Sequence, residues 1–469
     1  MKFRILTVLL ALVLAPPAQA QIGLPGIGVR LPQLPGAVIN PITQGVDSTV
    51  TTLDDTLTAA RRLAAENLIR NNRQTIEADA NGNPVVRGRL LASGLSDEER
   101  TRVLAAGFTL ESSQTLDGLG LRIDTFGTPP GQSTRRALQE LRRLAPAAQL
   151  DYDHIYAGSG ATGTPAGAVS NSVAVPPAKA ASNAAAAPTS NTTSSPATAA
   201  PSNVASSAAM VSPSNVRVGL IDGGIARGNE VFRGAQISGW GCGGRSIPSD
   251  HGTAVASLLI GAARPFHGAA PGAHLYAADV YCAQPTGGAV ETVVAALAWL
   301  AQQQVAVINI SLVGPDNAIL RQVVQALVNR GYLLVAAVGN DGPAAPPLYP
   351  AAYAGVVGVT AVDAHDRVLL EAERGSQVMF AAPGADMAAA QNPQGYVTVR
   401  GTSFAAPLVA GLLAAQLAQP DRAQAKKALD KLIGQAMLVG AARNERYGYG
   451  LVAEALRVAP TLVSARNQL

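Results

Sequence analysis

The stretch Gly401-Thr402-Ser403-Phe404-Ala405-Ala406-Pro407 joins a predicted strand, Tyr396 to Arg400, to a predicted helix rich in Ala, Leu and Gly. We expect Ser403 at the N-terminus of this helix, where backbone N–H groups point outward and the helix dipole favours developing negative charge. A hydroxyl in that position can be a nucleophile beside an oxyanion site. It can also be an ordinary N-cap, since serine is a favoured cap residue. The stretch alone leaves both interpretations open.

The region around this stretch, residues 215–469, alternates apolar strands with helical patterns from Val216 onward. Strands that are apolar along their whole length predict a parallel sheet covered by helices on both faces. We therefore expect an α/β fold with a doubly wound, mostly parallel sheet. In such sheets reactive residues gather at the carboxyl ends of the strands.

Two further polar residues lie at matching junctions of this region. Asp222 follows the strand that begins at Val216, where a buried carboxylate needs a partner. His251 begins a predicted helix in Asp250-His251-Gly252-Thr253. Taken singly, Asp222 is a turn residue and His251 a helix-start residue. Together with Ser403 they supply the three roles of a catalytic triad.

These residues resemble the subtilisin-like serine proteases, or subtilases (peptidase S8), which have the same chain order of Asp, His and Ser. The resemblance covers about residues 215–460 and rests on Asp222-Gly223-Gly224, His251-Gly252-Thr253, Ala337-Val338-Gly339-Asn340, Tyr349-Pro350-Ala351, Ala381-Ala382-Pro383-Gly384, Gly401 to Pro407 and Tyr447-Gly448-Tyr449-Gly450. The chain departs from the family at Gly223, where Ser or Thr is usual, and we expect a looser loop there. An esterase or lipase is disfavoured, because no Gly-x-Ser-x-Gly elbow surrounds Ser403.

The resemblance implies a serine endopeptidase, a hydrolase that cuts proteins or peptides. Ser403 would attack the peptide carbonyl, His251 would transfer the proton, and Asp222 would orient His251. Asn340 would donate its side-chain amide to the oxyanion, beside the backbone N–H of Ser403. The competing hypothesis is a catalytically inactive, subtilase-like binding module.

The resemblance also implies an extended substrate cleft, which would be lined by Ser311, Leu312, Gly314 and Ala337. Leu348 stands before Tyr349-Pro350, where subtilisins often have a smaller residue. We therefore expect a shallow pocket and a preference for small residues, such as Ala or Ser, at P1, the residue before the cleaved bond. No cofactor or metal site is predicted. Calcium often stabilises subtilases, but no motif assigns its ligands here.

The N-terminal half has four predicted parts. Residues 1–20 have the positive start, apolar run and small-residue cleavage site of a signal peptide. Residues 21–83 form an extension with one helix. Residues 84–158 have the β-α-β-β-α-β order of a small α+β, ferredoxin-like unit. Residues 159–214 form a flexible linker rich in Ala, Ser, Thr and Pro.

By resemblance, the 84–158 unit is a propeptide that inhibits the enzyme as an intramolecular partner until it is cut. We expect autocleavage near Ala157, with Ala157 at P1, or within the linker. The signal peptide predicts export to the periplasm, the extracellular space or the cell surface, as a monomer without a transmembrane anchor. The net charge of +4 comes without an aromatic-rich basic motif, which disfavours nucleic acid as a partner.

Cys242 and Cys282 are the two cysteines of the 469-residue chain. In an oxidising compartment an even count of cysteines predicts a disulfide bond. Two buried free thiols, or a metal pair that lacks its other ligands, are the alternatives.

Overall fold

A computed structural model describes residues 46–158, 161–165, 216–245 and 247–464, with the backbone alone described for residues 46–55, 161–165 and 464. The predicted signal peptide, residues 1–20, and most of the predicted linker, residues 159–214, lie outside the described residues. None of the helices within the described ranges is long and apolar enough to cross a membrane.

The first unit is an antiparallel sheet with two helices on one face. Its elements, after a long first helix, are α1 (Val46–Asn71), β1 (Ile76–Ala78), β2 (Pro84–Ser93), α2 (Asp97–Ala105), β3 (Thr109–Leu116), β4 (Leu121–Gly127), α3 (Thr134–Leu144) and β5 (Gln149–His154). The strands pair in the order β5-β2-β4-β3, which is the ferredoxin-like order. Helix α2 begins at a capping box in which Ser96 and Glu99 satisfy each other's backbone N–H groups.

The structure moves one boundary of the predicted N-terminal parts, the start of the first sheet. Helix α1 occupies much of the predicted extension 21–83. Strand β1 lies in what the sequence predicts as a polar break, and pairs antiparallel with the start of β2. Because Ile76 is fully buried in this pairing, the sheet begins before residue 84.

The rest of the chain builds a second unit on a seven-stranded sheet. Its elements are β6 (Ala157–Gly158), β7 (Ala161–Pro165), β8 (Arg217–Asp222), β9 (Ile237–Trp240), α4 (Asp250–Ile260), β10 (Ala262–Ala263), β11 (Phe266–His267), β12 (His274–Asp279), α5 (Val290–Gln302), β13 (Val307–Ile310), β14 (Leu312–Val313), α6 (Ala318–Val328), β15 (Leu333–Ala337), β16 (Val357–Val362), β17 (Val378–Pro383), β18 (Ala385–Ala390), β19 (Tyr396–Arg400), α7 (Thr402–Ala414), α8 (Arg422–Gln435) and α9 (Pro460–Ser464). The sheet order is β17-β16-β15-β13-β8-β12-β9, and all of its pairings are parallel.

Helices cover both faces of this sheet. One apolar cluster joins α4, α7 and α8 to one face, and a second joins α5 and α6 to the other. The strands β13 and β15 are buried along their whole length, as expected for a parallel sheet with two covered faces. The predicted α/β class with a doubly wound sheet is therefore confirmed.

Residues 161–165 correct the predicted linker. They fall within 159–214, yet they form β7 and pair antiparallel with β19. Strand pairing uses backbone N–H and C=O groups, so an edge strand can recruit a segment whose side chains give little strand signal. The composition of the linker therefore did not reveal this contact.

Cys242 and Cys282 form a disulfide bond in the structure, with their Cα atoms 5.2 Å apart. The bond joins the loop after β9 to the loop after β12. Cys282 N–H also donates to Asp279 Oδ1 at 2.9 Å, so both loops are tied to the end of β12.

Candidate active site

Asp222 and His251 meet at the carboxyl end of the sheet. Asp222 is the last residue of β8, and His251 lies in the first turn of α4. Their side chains are joined by a hydrogen bond of 2.9 Å between His251 Nδ1 and Asp222 Oδ1. Since Nδ1–H donates to the carboxylate, Nε2 carries the lone pair that a general base needs. Within the described ranges, Nε2 has no hydrogen-bond partner.

The loop after Asp222 is tightly packed, and the predicted looseness is wrong. A Cβ atom on Gly223 would lie 2.3 Å from Ser249 Oγ, so a larger residue would require the Ser249 side chain to move. Ser249 accepts a hydrogen bond from Gly252 N–H as the N-cap of α4 and donates to the Gly224 carbonyl at 3.3 Å. Ser249 thus links the loop that carries Asp222 to the helix that carries His251.

Ser403 lies in the first turn of α7, behind Gly401, whose φ of 138° suits glycine. The Ser403 hydroxyl donates to the Ser311 carbonyl at 3.2 Å, and the Ser311 hydroxyl donates to the Ser403 carbonyl at 3.0 Å. The ring of Phe404, the next residue, lies 5.3 Å from the His251 ring. The N-cap position belongs to Gly401, so the capping interpretation of Ser403 does not describe this site.

Asn340 reaches the start of α7 from the loop after β15. Thr402 N–H donates to Asn340 Oδ1 at 3.1 Å, and Gly339 N–H donates to Thr402 Oγ1 at 3.2 Å. These two bonds hold the Asn340 amide beside the helix N-terminus that carries Ser403. A side-chain amide and a helix N-terminus are the donors from which oxyanion holes are built.

Leu348 and Glu373 fill the space beside Gly339. A Cβ atom on Gly339 would lie 2.8 Å from Leu348 Cδ1 and 2.6 Å from Glu373 Oε1. Burial raises the pKa of Glu373 to about 9, and the neighbouring Asp341 carboxylate contributes to the rise as the smaller cause. Glu373 is therefore a neutral acid near pH 7, and Leu348 N–H donates to its Oε2 at 3.2 Å.

A segment of the chain itself lies in the predicted cleft. Strand β6 pairs antiparallel with β14, so that Leu312 faces Gly158 and Val313 faces Ala157. A Cβ atom on Gly158 would lie 3.5 Å from His251 Nε2, which places this backbone directly against the histidine. Ala157 is exposed, so it does not fill a pocket as the prediction of Ala157 at P1 requires.

Tyr156 anchors this segment at the far end of the cleft. Its side chain is fully buried, and its N–H donates to the Gly288 carbonyl at 2.9 Å. A Cβ atom on Gly314 would lie 2.6 Å from the Tyr156 ring, so glycine is required there. Ala337, the remaining predicted cleft residue, is buried at the end of β15.

Strand β7 pairs with β19, the strand that leads to Ser403. Ala161 faces Arg400, which lies three residues before Ser403. The described segments that flank residues 159 and 160 therefore pair with β14 on one side and with β19 on the other.

Two acidic residues of β5 dock the first unit onto the second. Asp151 Oδ2 accepts from Ala318 N–H at the start of α6, and Asp153 Oδ1 accepts from Glu291 N–H at the start of α5. The first N–H groups of a helix have no partner within the helix, and a carboxyl oxygen can accept from them. Neither residue was predicted from the sequence as a docking residue, although two acids spaced two apart on one strand point to the same face.

Within the described ranges, one group of side chains that can bind metals has its ligand atoms close together. It is formed by Cys242, Asp279 and Cys282. The two sulfurs are bonded to each other. The group therefore offers a single carboxylate, which is too few ligands for the metal pair considered above.

A family model described as "Subtilase family" matches residues 213–450, which is just over half of the chain. The chain belongs to the subtilase family. The match includes all three triad candidates and the Asn340 loop. Because relatives across the family are proteases, the chain is a subtilisin-like serine endopeptidase.

Individual relatives match about half of this subtilase. Subtilisin DY of Bacillus licheniformis is 32% identical over 249 residues, which cover 50% of this chain and 88% of that protein. Minor extracellular protease Epr of Bacillus subtilis (strain 168) is 33% identical over 224 residues, or 46% of this chain but only 34% of Epr. The subtilase thus spans about a third of the length of Epr.

One solved structure resembles the fold over most of the chain. Fervidolysin from Fervidobacterium pennivorans, a keratinolytic enzyme related to subtilisin, matches with a TM-score of 0.60 and 16% identity. The match covers 81% of this chain and 61% of fervidolysin. At this identity the likeness concerns the fold.

Proposed function

We propose that this subtilase is an exported endopeptidase that is made as an inactive precursor and cuts its own chain. Ser403 is the nucleophile, His251 the general base and then the general acid, and Asp222 the group that orients His251. Asn340 and the backbone N–H of Ser403 stabilise the oxyanion. Residues 84–158 act as the intramolecular inhibitor, and other proteins or peptides are the later substrates.

The observation that carries this proposal is the position of Gly158. Its backbone lies against His251 and is paired with Leu312, as an extended substrate would be. Two residues follow before Ala161, which pairs with Arg400 of β19, the strand that leads to Ser403. The bond that is cut lies after Gly158 and before Ala161.

The proposed preference for small P1 residues rests on the space beside Gly339. Leu348 fills part of this space, and Glu373 is neutral near pH 7, so a bulky or a basic side chain gains little there. Ser159 and Gly160, the residues between Gly158 and Ala161, are both small. A peptide-library profile dominated by large aromatic P1 residues would contradict this part of the proposal.

The nucleophile is tested by a fluorophosphonate label on the purified full chain. We expect the label on Ser403 once the N-terminal unit has left, and none on the Ser403→Ala variant. A protein that hydrolyses no peptide and takes up no label after removal of the N-terminal unit is a binding module, the competing function.

Export is the second part of the proposal. Its support is the signal-peptide pattern of residues 1–20 and the pairing of Cys242 with Cys282, which suits an oxidising compartment. N-terminal sequencing of the protein from cell fractions tests it. A cytosolic protein that still begins at Met1 would contradict export.

A further inference from the structure

Helix α1 runs from the Asn340 side of the active site to the Asp222 side. Arg61 forms an ion pair with Asp341, the residue after Asn340, and Thr58 Oγ1 donates to the Asp341 carbonyl at 3.5 Å. Further along, Asn67 and Asn71 line a cavity of about 660 Å³ whose other wall includes Asp222. Residues 58 to 71 of a helix span about 20 Å, which is enough to bridge the two sides.

The same helix packs against the segment that leads into the cleft. Leu68 and Ile69 pack against an apolar cluster that contains Ile155 and Ala289. Ile155 bridges to Ala289 of the second unit and lies two residues before β6. Helix α1 therefore contacts the second unit and the cleft-bound segment together.

One face of α1 makes these contacts, and the opposite face is open to solvent. Ala64 is 6% exposed, and the side chains of Arg61 and Asp341 are 33% and 19% exposed. The neighbouring Arg62 side chain is 81% exposed and pairs with Glu66 on α1 itself. Such one-sided burial is typical of a helix that docks on a surface.

We propose that α1 is a clamp, a second inhibitory segment that keeps the N-terminal unit on the enzyme after the chain is cut. The clamp rests on the proposed function, in which Ser403 cuts after Gly158. Cleavage frees the end of β6, but α1 still contacts the apolar cluster of Ile155 and still binds Asp341. Breaking a partly buried ion pair acts mainly on the dissociation rate, so Arg61 controls how long the cleaved unit stays bound.

Activation then has two steps with different requirements. Self-cleavage needs the catalytic residues. Release of the cleaved unit needs α1 to leave the surface between Asp341 and the Asp222 cavity, by dissociation or by proteolysis of the helix. The clamp is the part of the inhibitor that lies outside the ferredoxin-like unit.

The test compares Arg61→Glu with Arg62→Glu in the full chain. Arg61→Glu places a carboxylate against Asp341, whereas Arg62→Glu changes the same charge on the solvent face. The first readout is hydrogen–deuterium exchange of residues 58–71 in a Ser403→Ala background, which needs no activity. The second is the lag before peptide hydrolysis reaches its final rate in the catalytically competent chain.

We expect Arg61→Glu to raise the exchange rate of these amides about tenfold and to shorten the lag by a similar factor. Arg62→Glu should match the parent chain in both readouts, and kcat and KM after release should be equal in all three proteins. A lag in Arg61→Glu equal to that of Arg62→Glu overturns the clamp. Faster exchange in Arg61→Glu, with no peptide hydrolysis in any variant, supports the docking of α1 and overturns the proposed function.

Discussion

The polar groups at the candidate site and the two acidic groups of β5 find their partners in different places. The second unit completes its site internally, because Asp222 binds His251 and Thr402 N–H binds Asn340. The first unit directs Asp151 and Asp153 outward, to the N-termini of helices in the second unit. The candidate site residues of the second unit are therefore positioned by that unit itself, whereas the first unit has buried groups whose partners exist only in the docked state.

Apolar burial follows the same division. Leu91, Leu116 and Ile123 of the first unit belong to an apolar cluster that is centred on α5 and α6 of the second unit. The cluster that lies wholly within the first unit is small. A unit of this size is marginally stable alone, so we expect it to fold against its partner. The difference suggests that the catalytic unit persists and the first unit is the part that leaves.

The largest expected effect is the loss of peptide hydrolysis when the proposed nucleophile is removed from the second unit. Ser403→Ala removes the nucleophile, and kcat should fall by about 10⁶-fold, the size known for the corresponding change in subtilisin. Docking of the first unit should be unaffected, because Ser403 makes none of the contacts between the units described above. Peptide hydrolysis measures the first effect, and size-exclusion chromatography of the intact chain measures the second.

The next effect concerns the oxyanion site. Asn340→Ala should lower kcat by about 10²–10³-fold with little change in KM, the range known for the equivalent donor in subtilisin. Asn329→Ala, at an exposed residue after α6, is the matched control and should leave both parameters unchanged. A rise in KM at constant kcat would mean that Asn340 binds substrate and does not stabilise the oxyanion.

The docking of the first unit onto the second should depend on pH through Asp153. Burial raises the pKa of Asp153 to about 7 in the docked state, while the exposed carboxyl has a value near 3.8. A raised pKa means that the docked state holds the proton more tightly, so docking is strongest below about pH 4 and weakens as the pH rises to about 7. The free energy of unfolding of the Ser403→Ala chain should fall by about 2–4 kcal/mol across this range.

Asp153→Asn is the control for this effect. The amide can still accept a hydrogen bond from Glu291 N–H, but it does not titrate. Urea unfolding between pH 4 and pH 8 should therefore show a flatter profile for Asp153→Asn than for its parent. Identical slopes in the two chains would assign the pH dependence to other groups.

The smallest effect concerns specificity. Leu348→Gly opens the space beside Gly339, so kcat/KM for substrates with Phe or Leu at P1 should rise about tenfold relative to those with Ala. The ratio of the two substrates is the measurement, because it does not depend on enzyme concentration. An unchanged ratio would place the P1 pocket elsewhere.

The sequence predicts the second unit well because its signals are local. Apolar runs such as Val216 to Ile221 are buried on both faces of a parallel sheet, so their periodicity needs no knowledge of partners. Asp222, His251 and Ser403 each stand at a strand end or a helix start, and the topology of the sheet brings such junctions together. The motifs that contain Asp222 and His251 therefore predicted the contact between these two side chains, which are joined by a hydrogen bond of 2.9 Å in the structure.

The contacts between the units were not predictable in the same way. Asp153 has its partner at Glu291, 138 residues away, and Arg61 has its partner at Asp341, 280 residues away. Neither strand nor helix periodicity carries information on such pairs. Strand β7 was missed for a related reason, because its pairing uses the backbone and its small side chains give a linker composition.

The proposed function requires that Ser403 cuts its own chain between Gly158 and Ala161. The most direct measurement is the intact mass and N-terminal sequence of the purified full chain, compared with the Ser403→Ala variant expressed alone. We expect the native chain to be cut after Gly158 and before Ala161, and Ser403→Ala to stay uncut there. A Ser403→Ala protein that is cut at the same bond as completely as the native protein would contradict it.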